Sequence, residues 1–155
     1  MAIEIERKFL VAGDGWRAHA RGIDHIRQGY LSTGSNATIR IRTINDGRGF
    51  ITIKAGGASL ERSEYEYPIP ITDARQLLAR CLGRLIDKRR HHLDLDDGDW
   101  VVDEFQGAHA GLLLVEVELP SGDARFTHHD WLGEEVTGDR NYYNSSLAAL
   151  GPDRG

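Results

Sequence analysis

The sequence predicts a mainly β protein of the α+β class, an eight-stranded antiparallel β-barrel with a few covering helices. Segments in which apolar and charged residues alternate recur about eight times along the chain, and this period of two is typical of strands with one buried face. Most connections between these segments have hairpin length, which favours antiparallel neighbours. A single long segment has helical apolar spacing, so the sheet dominates the predicted architecture.

The predicted strands follow one another as far as residue 119. They cover residues 4–11, 26–31, 37–44, 50–54, 62–69, 86–95, 100–105 and 112–119. Asn45-Asp46-Gly47 is a hairpin signal between the third and fourth strands, because Asp-Gly tolerates the positive φ of tight turns. We treat residues 1–155 as one domain, since a chain of 155 residues buries a substantial core and no linker interrupts it.

Helices are fewer than strands. The segment from Thr72 to Leu85 is predicted as the principal helix, with Thr72 as its cap and Asp73 in its first turn. Its apolar stripe consists of Leu77, Leu78, Cys81, Leu82 and Leu85. Such a stripe is typical of core packing rather than of a binding groove. Short helices are expected at residues 15–20 and 145–150.

The first strand carries its charges on one face. Side chains two positions apart share a face of a strand, so Glu4, Glu6 and Lys8 point the same way. The residues expected to pack outward on the other face are Ile3, Ile5 and Phe9. Taken alone, this is the pattern of an ordinary strand with solvated charges. Its recurrence on later strands is what indicates a site.

The alternating charges of all the strands form two sets. The acidic set is Glu4, Glu6, Glu64, Glu66, Asp103, Glu116 and Glu118, and the basic set is Lys8, Arg40, Arg42, Lys54, Lys88 and Arg90. If the sheet closes with its apolar face outward, both sets line a lumen, where charges need water or partners. The two signs could simply neutralise one another in a structural network, and that alternative stays open.

The two sets also suit different ligands. Glu4, Glu6, Glu116 and Glu118 come from the first and last strands, which a closed barrel brings together. Carboxylate clusters suit hard divalent cations such as Mg²⁺ or Mn²⁺. The arginines and lysines suit a phosphate chain, because guanidinium groups bind phosphate oxygens bidentately.

These motifs, in this order, resemble the CYTH superfamily of triphosphate tunnel metalloenzymes. Glu4-Ile5-Glu6-Arg7-Lys8 matches the family's ExExK signature. The further matching motifs are Arg40-Ile41-Arg42, Thr52-Ile53-Lys54, Glu64-Tyr65-Glu66, Lys88 to Arg90, Glu116-Val117-Glu118, Trp131 to Thr137 and Tyr143-Asn144. ExExK alone is short, but the ordered set is specific and extends over nearly the whole chain.

The resemblance implies an eight-stranded antiparallel tunnel that binds triphosphates together with Mg²⁺ or Mn²⁺. It assigns the metal to Glu4, Glu6, Glu116 and Glu118, with Asp103 as a further acidic candidate. It assigns the triphosphate to Lys8, Arg40, Arg42, Lys54, Lys88 and Arg90. The catalytic candidates are Glu4, Glu6, Lys8, Glu64 and Glu66.

The mechanism expected from this arrangement is in-line attack of water on a terminal phosphoryl group. One metal would position the triphosphate and a second would activate the water. Glu64 or Glu66 would orient or deprotonate that water, or would only pair with the tunnel's bases, and we favour the pairing.

A single-domain chain with this pattern most resembles the inorganic triphosphatases of the family. The expected reaction is therefore hydrolysis of tripolyphosphate to pyrophosphate and phosphate. The alternatives are a nucleoside or thiamine triphosphatase, an adenylate cyclase, and a non-catalytic module that binds polyphosphate or nucleotide. One departure bears on substrate choice: Tyr143 stands where related sequences often carry a lysine, so Arg140 would have to supply that charge.

Composition limits the possible partners of the protein and the compartment in which we expect it. A net charge of −5 provides no overall basic field for nucleic acid or an anionic membrane. The single cysteine, Cys81, excludes an intramolecular disulfide, and no apolar run is long enough to span a bilayer. We expect a soluble cytoplasmic protein whose partner is a small triphosphate. The oligomeric state is open, a homodimer included.

Overall fold

The computed structural model describes residues 2–34, 36–56 and 61–149, with side chains described for residues 5–34, 36–56 and 63–148. Within these residues the strands are β1 (Ala2–Val11), β2 (Ala20–Thr33), β3 (Ala37–Ile44), β4 (Arg48–Ala55), β5 (Glu61–Ile69), β6 (Leu82–Leu93), β7 (Asp99–Phe105), β8 (Leu113–Glu118) and β9 (Leu132–Glu135). The α-helices there are α1 (Ile71–Leu78) and α2 (Asn144–Ala149), with short 3-10 helices at Gly15–His19, Gly107–His109 and Arg140–Tyr142. Neither α-helix in this part of the chain has the length and apolar character needed to cross a membrane.

All the strands belong to one antiparallel sheet with the order β5-β4-β3-β2-β6-β7-β8-β1-β9. The sheet curls until β1, near one end of the strand order, meets β5 at the other end. Ala2 to Ile5 pair with β5, while Glu6 to Leu10 pair with β8. The pairing with β5 covers only those four residues, and the end of β1 pairs with β9 instead. The sheet is therefore curled but not closed along its whole length.

The predicted α+β class with a mainly antiparallel sheet is confirmed, and the predicted closed barrel of eight strands is corrected to this curled sheet of nine. The additional strand is β9. It has only four residues, too few for a two-residue alternation to stand out from a loop.

The predicted helix from Thr72 to Leu85 is wrong beyond Leu78. Helix α1 ends at Leu78, its N-cap is Pro70 rather than Thr72, and β6 begins at Leu82. Leu82 pairs with Tyr30 of β2, within a ladder that continues along β6. A long ladder with a neighbouring strand outweighs local helical spacing, which is a weak preference.

The predicted hairpin between β3 and β4 is confirmed, although a different pair of residues makes the turn. Asn45 and Asp46 adopt positive φ angles of 52° and 58°. Asn45 also accepts a hydrogen bond from the backbone N–H of His25 through Oδ1, at 2.8 Å. This side-chain bond helps to hold the left-handed conformation that asparagine tolerates.

The largest apolar cluster covers the outer face of the sheet. Its buried members are Phe9, Trp16, Leu93, Trp100, Val102, Val115, Val117, Leu119, Trp131 and Leu132. A second cluster packs Ile41 beneath Ala74 and Leu78 of α1. The outward packing predicted for Phe9 is confirmed, and Ile5 packs against the same cluster. The side chain of Ile3 lies outside the described residues.

A third cluster occupies one end of the inner face. Four neighbouring strands contribute the inward residues Leu10, Ile86, Phe105 and Leu114. Leu147 and Ala148 of α2 pack against them. This contact excludes water from that end of the inner face. The remainder of the inner face forms a cavity.

Candidate functional site

A cavity of about 640 Å³ lies inside the curled sheet. The residues of the two predicted charge sets that line it are Glu6, Lys8, Arg40, Arg42, Lys54, Glu64, Glu66, Lys88, Arg90, Glu116 and Glu118. Two members of the sets stand apart. The side chain of Glu4 is outside the described residues. Asp103 lies on the inner face, directly opposite Arg90, but it has 0% exposure and does not line the cavity.

The carboxylates lie together on the wall formed by β1 and β8. Glu6 is directly opposite Glu118 in the register of these strands, and Lys8 is directly opposite Glu116. Like charges in directly opposed positions destabilise a sheet. The positive charges of Lys8 and Arg90 already act on Glu6, and a bound cation would add to that compensation. Most of the basic side chains come from β3, β4 and β6, but the two signs also meet, because Lys8 lies within the carboxylate wall and Glu66 of β5 lies 3.6 Å from Arg40.

Glu116 links the two kinds of charge. Its carboxylate oxygens lie 3.6 Å from Lys8 Nζ and 3.8 Å from Arg90 Nη2. Burial alone would raise the pKa of Glu116, but the positive charge of Lys8, with a further contribution from Arg90, lowers it to about 2. In Lys8, burial opposes protonation, yet the carboxylates of Glu116 and Glu6 raise its pKa overall. Both side chains are therefore charged at neutral pH.

The carboxylate of Asp103 contacts two of the basic side chains that line the cavity, Lys88 and Arg90. Arg90 donates to it through Nε at 2.8 Å and Nη2 at 2.9 Å, while Lys88 Nζ lies 2.8 Å from its Oδ2. Burial opposes the ionisation of Asp103, but Arg90 and Lys88 hold its pKa well below the usual range. Lys88 also donates to Asn144 Oδ1 of α2 at 3.0 Å. Its burial lowers the pKa of Lys88 to about 7, against the opposing charge of Asp103.

Arg40 lies beside a short chain of hydrogen bonds between β4 and β5. Its Nη2 donates to Thr52 Oγ1 at 3.3 Å, and that hydroxyl donates to Glu66 Oε2 at 2.9 Å. The Nε–H of Arg40 is buried and meets no acceptor within the described ranges. An unsatisfied buried donor costs roughly 1–3 kcal/mol, so an anionic ligand at Arg40 would be favoured.

Arg42 is oriented by a neutral residue that the charge pattern could not reveal. Its Nε donates to Gln28 Oε1 at 2.8 Å, and Gln28 Nε2 donates to the hydroxyl of Tyr30 at 3.2 Å. Burial, together with the nearby charges of Arg40 and Arg90, lowers the pKa of Arg42 to about 9. Gln28 could have been found only from its inward position in β2, which needs the strand register.

The C-terminal segment contributes a part of the wall that strand alternation could not reveal, although the motifs Trp131 to Thr137 and Tyr143-Asn144 indicated this region. Its cavity residues are Val136, Thr137, Gly138, Arg140, Tyr143, Asn144 and Ser145. This segment has no strand alternation, because it forms a 3-10 helix and the start of α2. Arg140 and Tyr143 both line the cavity, so the position of the expected lysine does lie at the site.

The residues that could hold a divalent cation are those of the carboxylate wall. No group of three or more His, Cys, Asp or Glu side chains among those described has an arrangement that could hold a metal ion. Glu6, Glu116 and Glu118 nevertheless supply carboxylate oxygens along one wall. Oxygen is the donor that Mg²⁺ and Mn²⁺ prefer, and Mg²⁺ commonly completes its shell with substrate phosphates and water. The donor chemistry therefore fits a cation bound together with its substrate.

Comparisons with known proteins agree with this geometry. Residues 2–147 match the CYTH domain. The chain is 41% identical over 148 residues to the inorganic triphosphatase of Acetivibrio thermocellus, covering 95% of this chain and 94% of that protein. It is 43% identical over 151 residues to the inorganic triphosphatase of Nitrosomonas europaea, covering 94% and 96% respectively. The crystal structure of an inorganic triphosphatase superposes with a TM-score of 0.66 at 38% identity, covering 94% of this chain and 97% of that chain. The chain belongs to the CYTH family.

Proposed function

We propose that this protein hydrolyses the terminal phosphoanhydride bond of inorganic tripolyphosphate to release pyrophosphate and phosphate. One observation carries the proposal: a single cavity is lined by basic side chains from several strands and by a separate wall of carboxylates. The names of the two relatives, both inorganic triphosphatases, support the same reaction.

Tripolyphosphate is proposed to lie along the basic side chains of the cavity. Those side chains are Lys8, Arg40, Arg42, Lys54, Lys88 and Arg90. Phosphate oxygens accept hydrogen bonds from guanidinium groups in a bidentate manner, which fixes the chain as well as neutralising it. A phosphate oxygen at Arg40 would also satisfy the buried Nε–H that has no acceptor among the described residues.

Mg²⁺ or Mn²⁺ is proposed as the cofactor, with Glu6, Glu116 and Glu118 as the residues that would hold it, together with Glu4. When bound, such a cation neutralises phosphate charge and lowers the pKa of a coordinated water towards neutrality. The presence of three carboxylates on the paired strands β1 and β8 supports this assignment. Asp103 is left out of the metal set because it has 0% exposure, does not line the cavity and is held in contact with Arg90 and Lys88.

In the reaction, the oxygen of water bonds to the terminal phosphorus as the bridging P–O bond breaks. Pyrophosphate leaves with the electron pair of that bond. The attacking water gives up one proton to the bulk solvent and keeps the other as the hydroxyl group of the released phosphate. Arg40, Arg42 and Arg90 would stabilise the charge that develops on the phosphoryl and leaving oxygens. Glu66 contacts Thr52 and lies 3.6 Å from Arg40, which supports the pairing role that we favour for it. Glu64 lies opposite Lys54 in the register of β4 and β5, which supports the same role.

We further propose that the protein acts in the cytoplasm on this small-molecule substrate. The free thiol of Cys81 is compatible with a reducing compartment. The net charge of −5 does not favour a polyanionic macromolecule as the partner.

The proposal is tested by offering the purified protein tripolyphosphate, ATP and thiamine triphosphate, each with Mg²⁺ or Mn²⁺ and each with EDTA. Phosphate, pyrophosphate and cyclic AMP are measured. The expected result is metal-dependent release of phosphate and pyrophosphate in equal amounts from tripolyphosphate, faster than turnover of the other two. Cyclic AMP as the main product from ATP would contradict the proposal. Binding of tripolyphosphate without any turnover would contradict it in favour of a non-catalytic module.

A further inference from the structure

We infer that Asp103 is a positioning residue that fixes Lys88 and Arg90 on the cavity wall so that both cations present N–H groups to the substrate. The inference rests on the proposed function. It replaces the metal-binding role that the sequence suggested for Asp103.

The first step of the argument is the geometry around Asp103. It lies in the middle of β7, directly opposite Arg90 of β6, and has 0% exposure. Oδ1 accepts from Arg90 Nε, and Oδ2 accepts from Arg90 Nη2 and lies 2.8 Å from Lys88 Nζ. A two-point bond of this kind fixes the plane of a guanidinium group, since the donors form a rigid fork. Asp103 thereby fixes the orientation of Arg90 as well as its charge.

The second step concerns which of these groups reach the cavity. Lys88 and Arg90 line it, whereas Asp103 is not among the described residues that do so. The remaining N–H groups of the Arg90 fork are free of Asp103, because the carboxylate uses Nε and one bond to Nη2. Asp103 has 0% exposure, so it would have to become accessible from the cavity before it could serve as a metal ligand. A positioning residue needs no such change.

The third step concerns the charge on Lys88. The groups that act on it from the surrounding elements are Asp103 of β7, Arg90 of β6, Glu116 of β8, Arg42 of β3 and Asn144 of α2. Burial and the two arginines disfavour its protonation, while Asp103 and Glu116 favour it. Asp103 is in direct contact and makes the larger favourable contribution. Removal of the Asp103 charge should therefore deprotonate Lys88 at a lower pH and remove one cation from the site.

The experiment compares Asp103→Asn with the control Glu104→Gln. Glu104 is the next residue of β7, and its carboxylate contacts His91 on the outer face of the sheet at 2.9 Å. Tripolyphosphate binding is measured by calorimetry in EDTA at pH 6 and pH 8. Turnover with Mg²⁺ is followed in parallel. We expect Asp103→Asn to weaken binding about fivefold more at pH 8 than at pH 6, as a fall of about one unit from the Lys88 pKa of about 7 would produce. Glu104→Gln should match the wild-type protein at both pH values.

Three results would overturn the inference. Wild-type affinity of Asp103→Asn at both pH values would show that Asp103 does not act on substrate binding. An equal loss at pH 6 and pH 8 would overturn the part of the inference that concerns the charge of Lys88, because loss of the Arg90 orientation alone does not depend on pH in this range. A higher Mg²⁺ requirement for turnover, with unchanged binding in EDTA, would instead indicate a metal ligand.

Asp103→Glu decides the question if Asp103→Asn does not fold. This variant keeps the negative charge but displaces the guanidinium group of Arg90. The pH dependence of binding should therefore match that of the wild-type protein, while the KM for tripolyphosphate rises. A wild-type KM would overturn the inference. The binding measurements need no turnover, so they still test Asp103 if the wild-type protein proves inactive and the proposed function fails. If the wild-type protein is active and Asp103→Asn is unchanged, the inference alone fails.

Discussion

The inner face of the sheet has two ends that differ in chemistry although they share the same strands. On four neighbouring strands, a step of two residues replaces a charged side chain by an apolar one: Lys8 by Leu10, Lys88 by Ile86, Asp103 by Phe105 and Glu116 by Leu114. Leu147 and Ala148 of α2 cover the apolar end, whereas the charged side chains line or support the cavity. The change from charged to apolar residues along the strands and the docking of α2 together set the boundary between core and site.

The two ends should also differ in what they contribute. Burial of apolar side chains against α2 contributes directly to stability. A whole buried ion pair contributes little net stability, because desolvation offsets its attraction, but removal of one partner leaves an unpaired buried charge. Substitutions at the apolar end should therefore change folding with little effect on activity, whereas substitutions at the charged end should change activity most, with a cost in stability as well.

The largest effect is expected from Glu116→Gln at the charged end. This change removes a carboxylate of the proposed metal wall and the partner of Lys8. We expect kcat for tripolyphosphate to fall by about 10²–10³-fold, the usual cost of losing one electrostatic group at an active site. Steady-state phosphate release measures this, and circular dichroism checks that the variant is folded at the assay temperature. Full activity in a folded Glu116→Gln protein, equal to that of Glu104→Gln, would refute the metal wall.

Leu114→Ala tests the apolar end. Leu114 has 0% exposure and packs in the cluster beneath α2. Truncation leaves a cavity, so we expect the free energy of unfolding to fall by about 3 kcal/mol, with kcat/KM nearly unchanged at temperatures where the variant is folded. Urea unfolding provides the measurement, and Leu82→Ala, at a residue with 53% exposure, is the matched control. A large loss of kcat/KM with wild-type stability would reverse the roles assigned to the two ends.

The pH dependence of stability sharpens the same comparison. Because the folded pKa of Glu116 is about 2, below the usual value of 4.5, its ionisation stabilises the folded state fully above pH 4.5. This contribution is lost as the pH falls through the folded pKa. The difference in unfolding free energy between the wild-type protein and Glu116→Gln should therefore shrink between pH 4.5 and pH 2. A difference that stays constant over this range would show that Lys8 does not depress the pKa of Glu116.

The smallest effect on stability and activity is expected from a substitution of Arg7. This residue is next to Lys8 in β1, but its side chain lies on the outer face of the sheet. It forms an ion pair with Glu135 at side-chain exposures of 28% and 34%, and its guanidinium lies 4.9 Å from the ring centroid of Phe126. Partly exposed contacts of these kinds are weak, so Arg7→Gln should cost about 1 kcal/mol of stability. Thermal unfolding measures the cost, and phosphate release should stay at the wild-type rate. A loss of activity comparable to that of Glu116→Gln would show that the outer face takes part in the reaction.

Much of the fold and of the cavity lining could be predicted from the sequence, because alternation records which side chains share a face of a strand. That is how Lys8, Arg40 and Glu116 were placed together although they are far apart in the chain. The alternation does not record what lies against each face. The apolar residues Leu10 and Leu114 occupy inward positions, and only the docking of α2 explains them.

Three further features depend on long-range contacts that no local pattern contains. The helix predicted to reach Leu85 ends at Leu78 because β6 pairs with β2. Gln28 is an uncharged residue whose role cannot be recognised in the sequence, because only the strand register places it beside Arg42. The charge pattern groups Asp103 with the other acidic residues of the lumen. Only its complete burial distinguishes it from Glu6, Glu116 and Glu118, which line the cavity.

The central claim is that the charged end of the inner face binds the triphosphate. Calorimetric titration of tripolyphosphate into the wild-type protein, Arg40→Gln and Arg7→Gln tests it most directly, since the two variants lose the same charge on opposite faces of the sheet. We predict that Arg40→Gln lowers the affinity at least about tenfold, the equivalent of roughly 1.4 kcal/mol, while Arg7→Gln binds as the wild-type protein does. Equal affinities for the two variants would contradict the claim.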